Sequence, residues 1–530
     1  MSHEFKTVCL CFALAVIAAV LVAAAVPVGV PGQWTMPRVD GPSWSGLWLA
    51  LCALGLVALM VWAAYARMGS AKRYEAAVAV AMLVAFLFAM QFGIGALGRA
   101  GSQETFLAIV TPGTTNLYFS ESGNVGDPVE YLRGYDERAA KSTEGWQLKT
   151  HPPGPVVFFY ACRRAVAAWP ALGNAVLRFA EVLTPAELYW REIGGFEFLS
   201  RQIDRSAEAA GWLSVILLRL AAALIAVPAY ILARTAYQPG RSGQSDQSDQ
   251  SDQSDHQSPR AVAFAAAALA GLIPSLLLFS AMIDQLYPLI GLVAVLIGHQ
   301  AVIRRSMLLN ILCGAVLYVG LMFSLSFVAF LVLITVMQAW AVLSDKRPIG
   351  MGKSLPFLLR LLECLGIGVM ASAAAVYLTT GYASIGSWAR SLHANARFNE
   401  ESGRTYLAWL IANPVLFAAF LGVPAAVLFA RRLVEDARAA LAERTASALD
   451  PLLVATLGVL AALWLYGANL GEVERLWMPL MPLCTVVGVA GLRPGRTAAL
   501  TLIALQGLQA VPFKLALDPL GFSEIIGTMR

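Results

Sequence analysis

Charged side chains are scarce in this chain: Asp, Glu, Lys and Arg make up 13% of its 530 residues. Soluble proteins carry about a quarter charged residues, because a hydrated surface needs them. Hydrophobic residues make up 58%, so the composition excludes a soluble globule and, except locally, a disordered chain. The short alternating strands of a membrane β-barrel are also missing, since the apolar residues form long unbroken runs. The sequence therefore predicts an all-α polytopic membrane protein.

Cysteine is sparse too, and its pattern excludes two kinds of site. The seven cysteines form no CxxC pair and no cluster with histidine, so neither a disulfide framework nor a zinc site is predicted. The chain also lacks an internal repeat and has few charges in the middle of its apolar runs, which argues against a transporter. No cytoplasmic segment is large enough for a Rossmann-like domain, so the use of a nucleotide sugar is not expected.

Thirteen apolar runs approach the length of about 20 residues that a helix needs to cross a bilayer. They are residues 7–30, 45–66, 74–98, 212–236, 261–282, 285–303, 306–321, 323–343, 355–380, 406–430, 451–468, 477–492 and 497–513. The first run exceeds the roughly 7–15 apolar residues of a signal peptide, so an uncleaved helix is predicted there. The sequence therefore predicts about 13 transmembrane helices.

Lysine and arginine favour the cytoplasmic side of a membrane, and their positions set the predicted orientation. With the N-terminus in the cytoplasm, every inner loop is basic, through Arg67, Lys72, Arg73, Arg234, Arg241, Arg304, Arg305, Lys346, Arg347, Lys353, Arg431, Arg432, Arg493 and Arg496. This orientation requires that the large external region 99–211 contains no complete crossing. Its apolar piece 155–170 carries Arg163 and Arg164 in its middle, so an interfacial helix is predicted there. A second external loop covers 381–405.

These features divide the chain into three parts. Residues 1–73 are predicted as a two-helix N-terminal addition, 74–492 as the membrane core, and 493–530 as a C-terminal helix and tail. A repeat of Ser, Gln and Asp fills the cytoplasmic loop 242–258. Because nothing in that repeat can be buried, a disordered segment is predicted there.

Polar, acidic and aromatic residues crowd the external region ahead of the interfacial helix. Its carboxylates include Glu121, Asp127, Glu130, Asp136 and Glu137. The string His151-Pro152-Pro153-Gly154-Pro155 then opens the apolar segment. Consecutive prolines fix φ and remove two backbone donors, so His151 is predicted to sit on a rigid kink at the membrane interface.

An acidic external loop followed by HPPG resembles the C-type membrane glycosyltransferases, which include protein O-mannosyltransferases and the aminoarabinose transferases of lipid A. Three further segments are similar to that family: 217–234 with Arg219, 274–291 with Asp284, and GEVERLWMPLMPLC (471–484) with Arg475. The resemblance covers 74–492. The family often has an Asp-Glu pair soon after its first span, whereas this chain has that pair only at 136–137. The counterpart would be Glu121 or Asp127.

The resemblance implies transfer of a sugar from a polyprenyl-phosphate donor. Phosphate is a good leaving group, so the acceptor hydroxyl mainly needs a base, and Asp127 or Glu121 is the predicted catalytic residue. Arg475 is the leading candidate for the donor phosphate, because an arginine fork matches phosphate oxygens. Further substrate-binding residues are predicted at Tyr118, His151, Arg219, Asp284, Arg397 and Arg404. No spacing demands a cofactor or a metal, although carboxylates and phosphate would suit a divalent cation.

The favoured prediction is a glycosyltransferase of the plasma (inner) membrane with its active site on the external or periplasmic face. The expected partners are the lipid-linked donor, membrane lipid, and a glycan, lipid or protein acceptor; no nucleic acid is expected. Two alternatives stay open: a transporter or flippase of lipid-linked sugars, and a polysaccharide polymerase or ligase of the cell envelope. The enzyme prediction requires a cavity beside the interfacial helix, lined by 118–136 and Arg475.

Overall fold

The computed structural model describes residues 3–39, 44–68, 70–98, 101, 103–111, 117–142, 146–183, 203–236, 258–344, 351–444, 449–467, 469–492 and 495–521. The low-complexity loop predicted at 242–258 lies outside the described residues except for Ser258. The predicted inner residues Arg241, Lys346, Arg347 and Arg493, and the side chain of Lys353, also lie outside them.

Helices dominate the first half of the described chain. Three long helices, His3–Ala23, Ser45–Met68 and Arg73–Gly95, come first, and a small hairpin of Gly29–Val30 and Trp34–Thr35 lies between the first two. The large loop that follows carries the described helices Gln103–Val110, Leu117–Ser122, Pro128–Arg133, Tyr135–Lys141, Trp146–Thr150, Gly154–Ala168 and Pro170–Leu183.

The rest of the described chain is helical as well, with short 3-10 turns at Ile283–Gln285 and Met478–Leu480. Its helices are Arg205–Leu224, Ala226–Ala236, Pro259–Gly271, Pro274–Leu278, Leu286–Arg304, Met307–Phe323, Phe327–Leu343, Met351–Thr380, Ser384–Glu401, Tyr406–Leu421, Val423–Glu443, Pro451–Tyr466, Val473–Leu476, Met481–Leu492 and Arg496–Ala516.

The all-α membrane fold is confirmed. Among the described residues, seven helices are long and apolar enough to cross a bilayer, or eight if the bent pair Tyr406–Leu421 and Val423–Glu443 is one span. Five shorter apolar helices accompany them: Pro259–Gly271, Met307–Phe323, Phe327–Leu343, Pro451–Tyr466 and Met478–Gly491. The predicted count of thirteen would need all of these shorter helices to cross, and it stays a prediction.

Two of the predicted spans are broken, and buried glutamines satisfy the backbone at the breaks. The run predicted at 261–282 is helical only to Gly271 and unwinds again after Leu278. Gln285, which is fully buried, accepts a hydrogen bond from the Ala281 amide (2.6 Å) and donates one to the Leu276 carbonyl (2.7 Å). In a membrane such freed backbone groups must find a partner inside the protein, because lipid offers none.

The second break divides 406–430 at Gly422, where the two helices meet at 115°. Gly422 has φ +97°, a left-handed conformation that glycine adopts at little cost, and a Cβ there would collide with the Gln506 side chain. Gln506 donates to the Leu421 carbonyl (2.7 Å), and the neighbouring Gln509 accepts from the Val423 amide (2.8 Å). The break is therefore a built feature of the bundle.

Contacts group the helix ends into two sets. At one end, which we call the basic end, Arg431 donates to Thr7 (2.7 Å) and Arg260 donates to the Ala71 carbonyl. At the other end, which we call the HPPG end, Asn395 donates to the Thr150 carbonyl (3.3 Å) beside His151. These contacts join predicted inner segments to one another at the basic end, and predicted outer segments to one another at the HPPG end.

The predicted interfacial helix is observed as Gly154–Ala168, and within the described part of the large loop no candidate span occurs. Arg163, in its middle, donates to the Ser122 hydroxyl (2.9 Å) and the Phe119 carbonyl (3.2 Å) and lies over the Phe119 ring. The charge that makes a crossing costly is therefore used to hold the helix Leu117–Ser122. The position of Gly154–Ala168 at a membrane interface stays a prediction.

Candidate functional site

Four of the predicted site residues, from distant parts of the chain, come together at the HPPG end. They are Tyr118, His151, Asp284 and Arg475, and Tyr287, one helical turn after Asp284, lies beside them; we call these five residues the central cluster. The Tyr118 and His151 rings meet edge to face with centroids 5.8 Å apart. The charges of Asp284 and Arg475 both influence the pKa of His151 and that of Tyr118.

His151 is held in a defined orientation. Its Nδ1 lies 3.2 Å from the Gln147 carbonyl and 3.0 Å from the Thr150 hydroxyl, while the Tyr135 hydroxyl donates to the His151 carbonyl (3.0 Å). Burial lowers the pKa of His151; Asp284 opposes the shift and Arg475 adds to it. The ring is therefore neutral at pH 7. A proton on Nδ1, donated to Gln147, leaves Nε2 as a hydrogen-bond acceptor.

The two tyrosines of the cluster are almost fully buried, at 2% exposure each. The Tyr118 hydroxyl donates to the Gln147 carbonyl (3.5 Å), and the Tyr287 hydroxyl donates to the Phe323 carbonyl (3.5 Å). Burial raises the pKa of Tyr118 well above its ordinary value, and the nearby negative charge of Asp284 contributes to the shift. Both phenols therefore stay protonated and act as neutral donors.

Arg475 is held by a neighbouring carboxylate. Its Nη2 donates to Glu472 (2.8 Å), and Glu472 also accepts from Arg404 (2.9 Å), which in turn donates to the Leu470 carbonyl (2.7 Å). Burial alone would lower the pKa of Arg475, but Glu472 and Asp284 outweigh it and raise that pKa. Burial likewise opposes ionisation of Glu472, and the two arginines still lower its pKa. The row Arg404, Glu472 and Arg475 thus carries one net positive charge.

Glu474 behaves differently from Glu472, although only one residue separates them. It is 1% exposed, and its Oε2 has no hydrogen-bond partner among the described residues. Burial, with a contribution from the Glu472 charge, raises its pKa to about 8. Glu474 is therefore a neutral acid at pH 7. The ion-pair partner of Arg475 is therefore Glu472 and not Glu474.

Asp284 lies in the 3-10 turn Ile283–Gln285 and is 8% exposed. Within the described chain no side chain or backbone group forms a hydrogen bond or ion pair with its carboxylate. Its charge nevertheless helps to raise the pKa of Arg475. The cluster therefore contains one carboxylate whose oxygens are not bonded to any described group of the protein.

The two predicted catalytic carboxylates have other contacts. Asp127 is exposed and caps the helix Pro128–Arg133, accepting from the Val129 amide (2.7 Å). Glu121 accepts from the Tyr131 hydroxyl (3.0 Å) and from the Asn124 side chain (3.0 Å). Glu121 borders the cluster through Tyr135, whose pKa its charge helps to raise. The structure does not bring Asp127 to the cluster.

The remaining predicted arginines are dispersed. Arg219 is fully buried away from the cluster, where it donates to Ser280 and Thr105 (both 2.9 Å) and lies over the Phe92 ring. Arg397 is exposed on the helix Ser384–Glu401. Among the described contacts, Arg404 is linked to the cluster through Glu472.

Arg390 connects the second predicted external loop to the first. It pairs with Asp136 (3.0 Å), donates to the Lys149 carbonyl (2.7 Å) and lies over the Tyr135 ring. This contact balances the charge of Arg390 and fastens the loop 381–405 to the external region 99–211. It also braces the backbone immediately before His151.

Sequence reasoning missed Tyr287 and the buried acid Glu474. A signal for Tyr287 was available, because it follows Asp284 by three residues and so lies on the same side of a helical turn. Within the described residues, no three side chains of His, Cys, Asp or Glu are grouped closely enough to hold a metal ion. Comparison of the chain with protein-family models and with curated proteins found no match.

Proposed function

We propose that this protein is an integral membrane glycosyltransferase that moves a sugar from a polyprenyl-phosphate donor to an acceptor hydroxyl. The observation that carries the proposal is the proximity of a charged Arg475 to Asp284, a carboxylate with no described hydrogen-bond partner, beside the HPPG kink. A cation suits the lipid phosphate and a free carboxylate suits the acceptor hydroxyl. The reaction requires both, because the phosphate must be stabilised as it leaves and the hydroxyl must lose its proton.

Arg475 is proposed to bind the donor phosphate. One of its nitrogens is fixed by Glu472, and the other N–H groups have no hydrogen-bond partner among the described residues. A guanidinium held in this way loses little side-chain entropy when it binds, and its planar fork can make two parallel hydrogen bonds to phosphate oxygens. Neutral His151 and the protonated Tyr118 would then contact hydroxyls of the sugar.

Asp284 is proposed as the base, ahead of the predicted Asp127 and Glu121. As the acceptor oxygen bonds to the anomeric carbon, the bond from that carbon to the phosphate oxygen breaks. The proton of the acceptor hydroxyl passes to the Asp284 carboxylate, and polyprenyl phosphate leaves with the electron pair. Asp127 is committed to capping a helix and Glu121 to Tyr131, whereas the oxygens of Asp284 are free to accept that proton.

The proposed topology follows from the two ends of the bundle. The basic end faces the cytoplasm together with the N-terminus, and thirteen helices cross the plasma (inner) membrane. The HPPG end faces the external or periplasmic side, and the helix Gly154–Ala168 lies in the outer interface. Donor lipid in the outer leaflet would then present its phosphate at the depth of the central cluster.

The test is a transfer assay with purified protein in lipid nanodiscs and a panel of polyprenyl-phosphate sugars. Asp284→Asn should reduce kcat by about 100-fold or more, which is typical for loss of a general base. Arg475→Lys keeps the charge but loses the fork, so it should raise KM for the donor. Glu137→Gln, which alters an exposed carboxylate on the helix Tyr135–Lys141, serves as the matched control and should match the parent.

Three outcomes would contradict the proposal in different ways. No transfer from any donor by the parent protein would remove the glycosyltransferase function. Normal turnover by Asp284→Asn, together with loss of turnover in Asp127→Asn or Glu121→Gln, would return the base role to the loop carboxylates. Normal donor KM in Arg475→Lys would mean that the phosphate binds elsewhere.

A further inference from the structure

The hairpin between the first two helices, residues 29–35, lies outside the part of the chain that resembles the glycosyltransferases. Its strands Gly29–Val30 and Trp34–Thr35 pair in antiparallel register. Gly29 has φ +131°, and a Cβ there would lie 2.4 Å from the Trp34 carbonyl oxygen, so the pairing depends on glycine. The turn therefore presents Gln33 and Trp34 in a fixed arrangement.

Gln33 forms three hydrogen bonds with a segment more than 370 residues away. Its Oε1 accepts from the Thr405 amide (2.8 Å) and from Trp409 Nε1 (3.0 Å), and its Nε2 donates to the Thr405 hydroxyl (2.8 Å). Both ends of the amide group are thus used. The hairpin is fastened to the start of the helix Tyr406–Leu421, immediately after Arg404.

Trp34 contacts Arg404 itself. The Arg404 guanidinium carbon lies 5.8 Å from the Trp34 ring centroid, and the rings of Phe398 (5.7 Å) and Trp409 (5.8 Å) complete an aromatic enclosure around it. Only 7% of the Arg404 side chain is exposed. Aromatic faces attract a guanidinium, so the hairpin supplies one wall of the box that fixes Arg404.

The bend that leads to Arg475 is held by the same group of residues. Gly471 has φ +94°, and a Cβ there would lie 2.8 Å from the Trp409 ring. Glu472 follows with φ +56°, a left-handed conformation that is unfavourable for a residue with a side chain. Such a conformation persists only where its surroundings impose it. Here Trp409 packs on Gly471, and Arg404 binds Glu472.

We propose that the N-terminal hairpin is a positioning element for the donor-phosphate site, acting on Arg475 through Arg404, Trp409 and the bend 471–472. The inference rests on the proposed function, since it assigns to Arg475 the role of phosphate ligand. In this proposal Gln33 and Trp34 act through Arg404 and Trp409 and contact neither the substrate nor Arg475. They set the orientation of Glu472, and Glu472 sets the direction of the Arg475 fork.

A positioning role predicts a change in donor affinity rather than in the amount of folded protein. Trp34→Ala and Gln33→Ala should each raise KM for the polyprenyl-phosphate sugar about threefold to tenfold, as expected for loss of one wall of a cation–π box or its anchor. The value of kcat should change little, because Asp284 and His151 are untouched. Trp34→Phe retains an aromatic face and should restore most of the affinity.

The experiment measures two quantities for each variant in nanodiscs: transfer kinetics, and the Kd for radiolabelled undecaprenyl phosphate without a sugar. Trp44→Ala is the matched control, since Trp44 follows in the same connection and is 65% exposed. Its Kd and KM should equal those of the parent. If Trp34→Ala does not fold, Gln33→Ala tests the same contact from the other side.

Each result decides between the two proposals. Parental KM and Kd in both Gln33→Ala and Trp34→Ala, or a fall in kcat alone, would overturn the positioning role and leave the proposed transfer standing. If the parent protein binds undecaprenyl phosphate in a Trp34-dependent way but transfers no sugar, the proposed transfer is overturned and the positioning role stands. A parent that shows neither binding nor transfer would overturn both.

Discussion

Gly154, the last residue of HPPG, tests how closely the motif packs against the rest of the bundle. A Cβ at this position would lie 2.3 Å from the Met322 carbonyl oxygen, 2.7 Å from its carbonyl carbon and 3.0 Å from Phe323 Cα. All three atoms are backbone at the end of the helix Met307–Phe323, so no side chain can rotate away. Gly154→Ala must therefore push the HPPG helix and that helix apart.

The magnitude follows from the opposing terms. Overpacking a close contact costs about 1–3 kcal/mol, while exchanging glycine for alanine in a helix gains up to about 1 kcal/mol. Because Gly154 is the first residue of its helix, that gain is small and the net loss of stability should be about 1–2 kcal/mol. In a chain of 530 residues this lowers the unfolding midpoint by about 1–2 °C. The effect on transfer should be larger, because His151 lies three residues away and a displacement of about 1 Å can cost 100-fold in rate.

The assay pairs thermal unfolding in detergent with transfer kinetics in nanodiscs. Gly386→Ala is the control: Gly386 lies in the helix Ser384–Glu401, and an added Cβ would meet nothing within 4 Å, so the unfolding midpoint should be unchanged or slightly raised. If Gly154→Ala unfolds and transfers sugar as the parent does, the close approach to Met322 does not exist. The account of how HPPG positions His151 then fails.

Two further predictions concern buried charge. Because the pKa of Glu474 is raised from 4.5 to about 8 in the folded state, its stabilising contribution is complete below about pH 4.5 and is lost as the pH rises through about 8. The unfolding midpoint of the parent should therefore fall between about pH 4.5 and 8 relative to that of Glu474→Gln, and parallel curves would refute this. Glu104 and Lys514 form an ion pair with 4% and 2% exposure, so Glu104→Gln should destabilise by about 3–5 kcal/mol. The double variant Glu104→Gln with Lys514→Met should regain the unfolding midpoint of the parent. A Glu104→Gln variant as stable as the parent would refute the ion pair.

The helical bundle could be predicted from the sequence because its signal is local. Each apolar run contains enough consecutive residues to form a helix, whatever the rest of the chain does. The breaks were missed because a hydropathy average passes over them, although Pro274 and the pair Gly422 and Pro424 marked both positions. Whether a helix with proline continues or unwinds depends on distant partners such as Gln285 and Gln506, which local pattern cannot supply.

The candidate site was predictable only where motif and geometry coincide. HPPG, Asp284 and Arg475 came from separate motifs, and the structure brings them together. The base could not be chosen from the sequence, because Asp127 and Asp284 are the same residue type. Their difference lies in what their oxygens already bind: a helix N-terminus for Asp127, and no described group for Asp284.

The breaks and the central cluster have a common physical cause. Unwound backbone in a membrane protein is tolerated only where it is buried in protein or lines a cavity, because every freed N–H and C=O must be satisfied. Here the broken segments before Asp284 and before Arg475 meet each other, since the Ser275 hydroxyl donates to the Glu474 carbonyl. Irregular backbone therefore lies at the position where Arg475 and Asp284 come near each other. For the proposed transfer, a substitution that restores helix there should reduce the rate of sugar transfer more than it reduces stability.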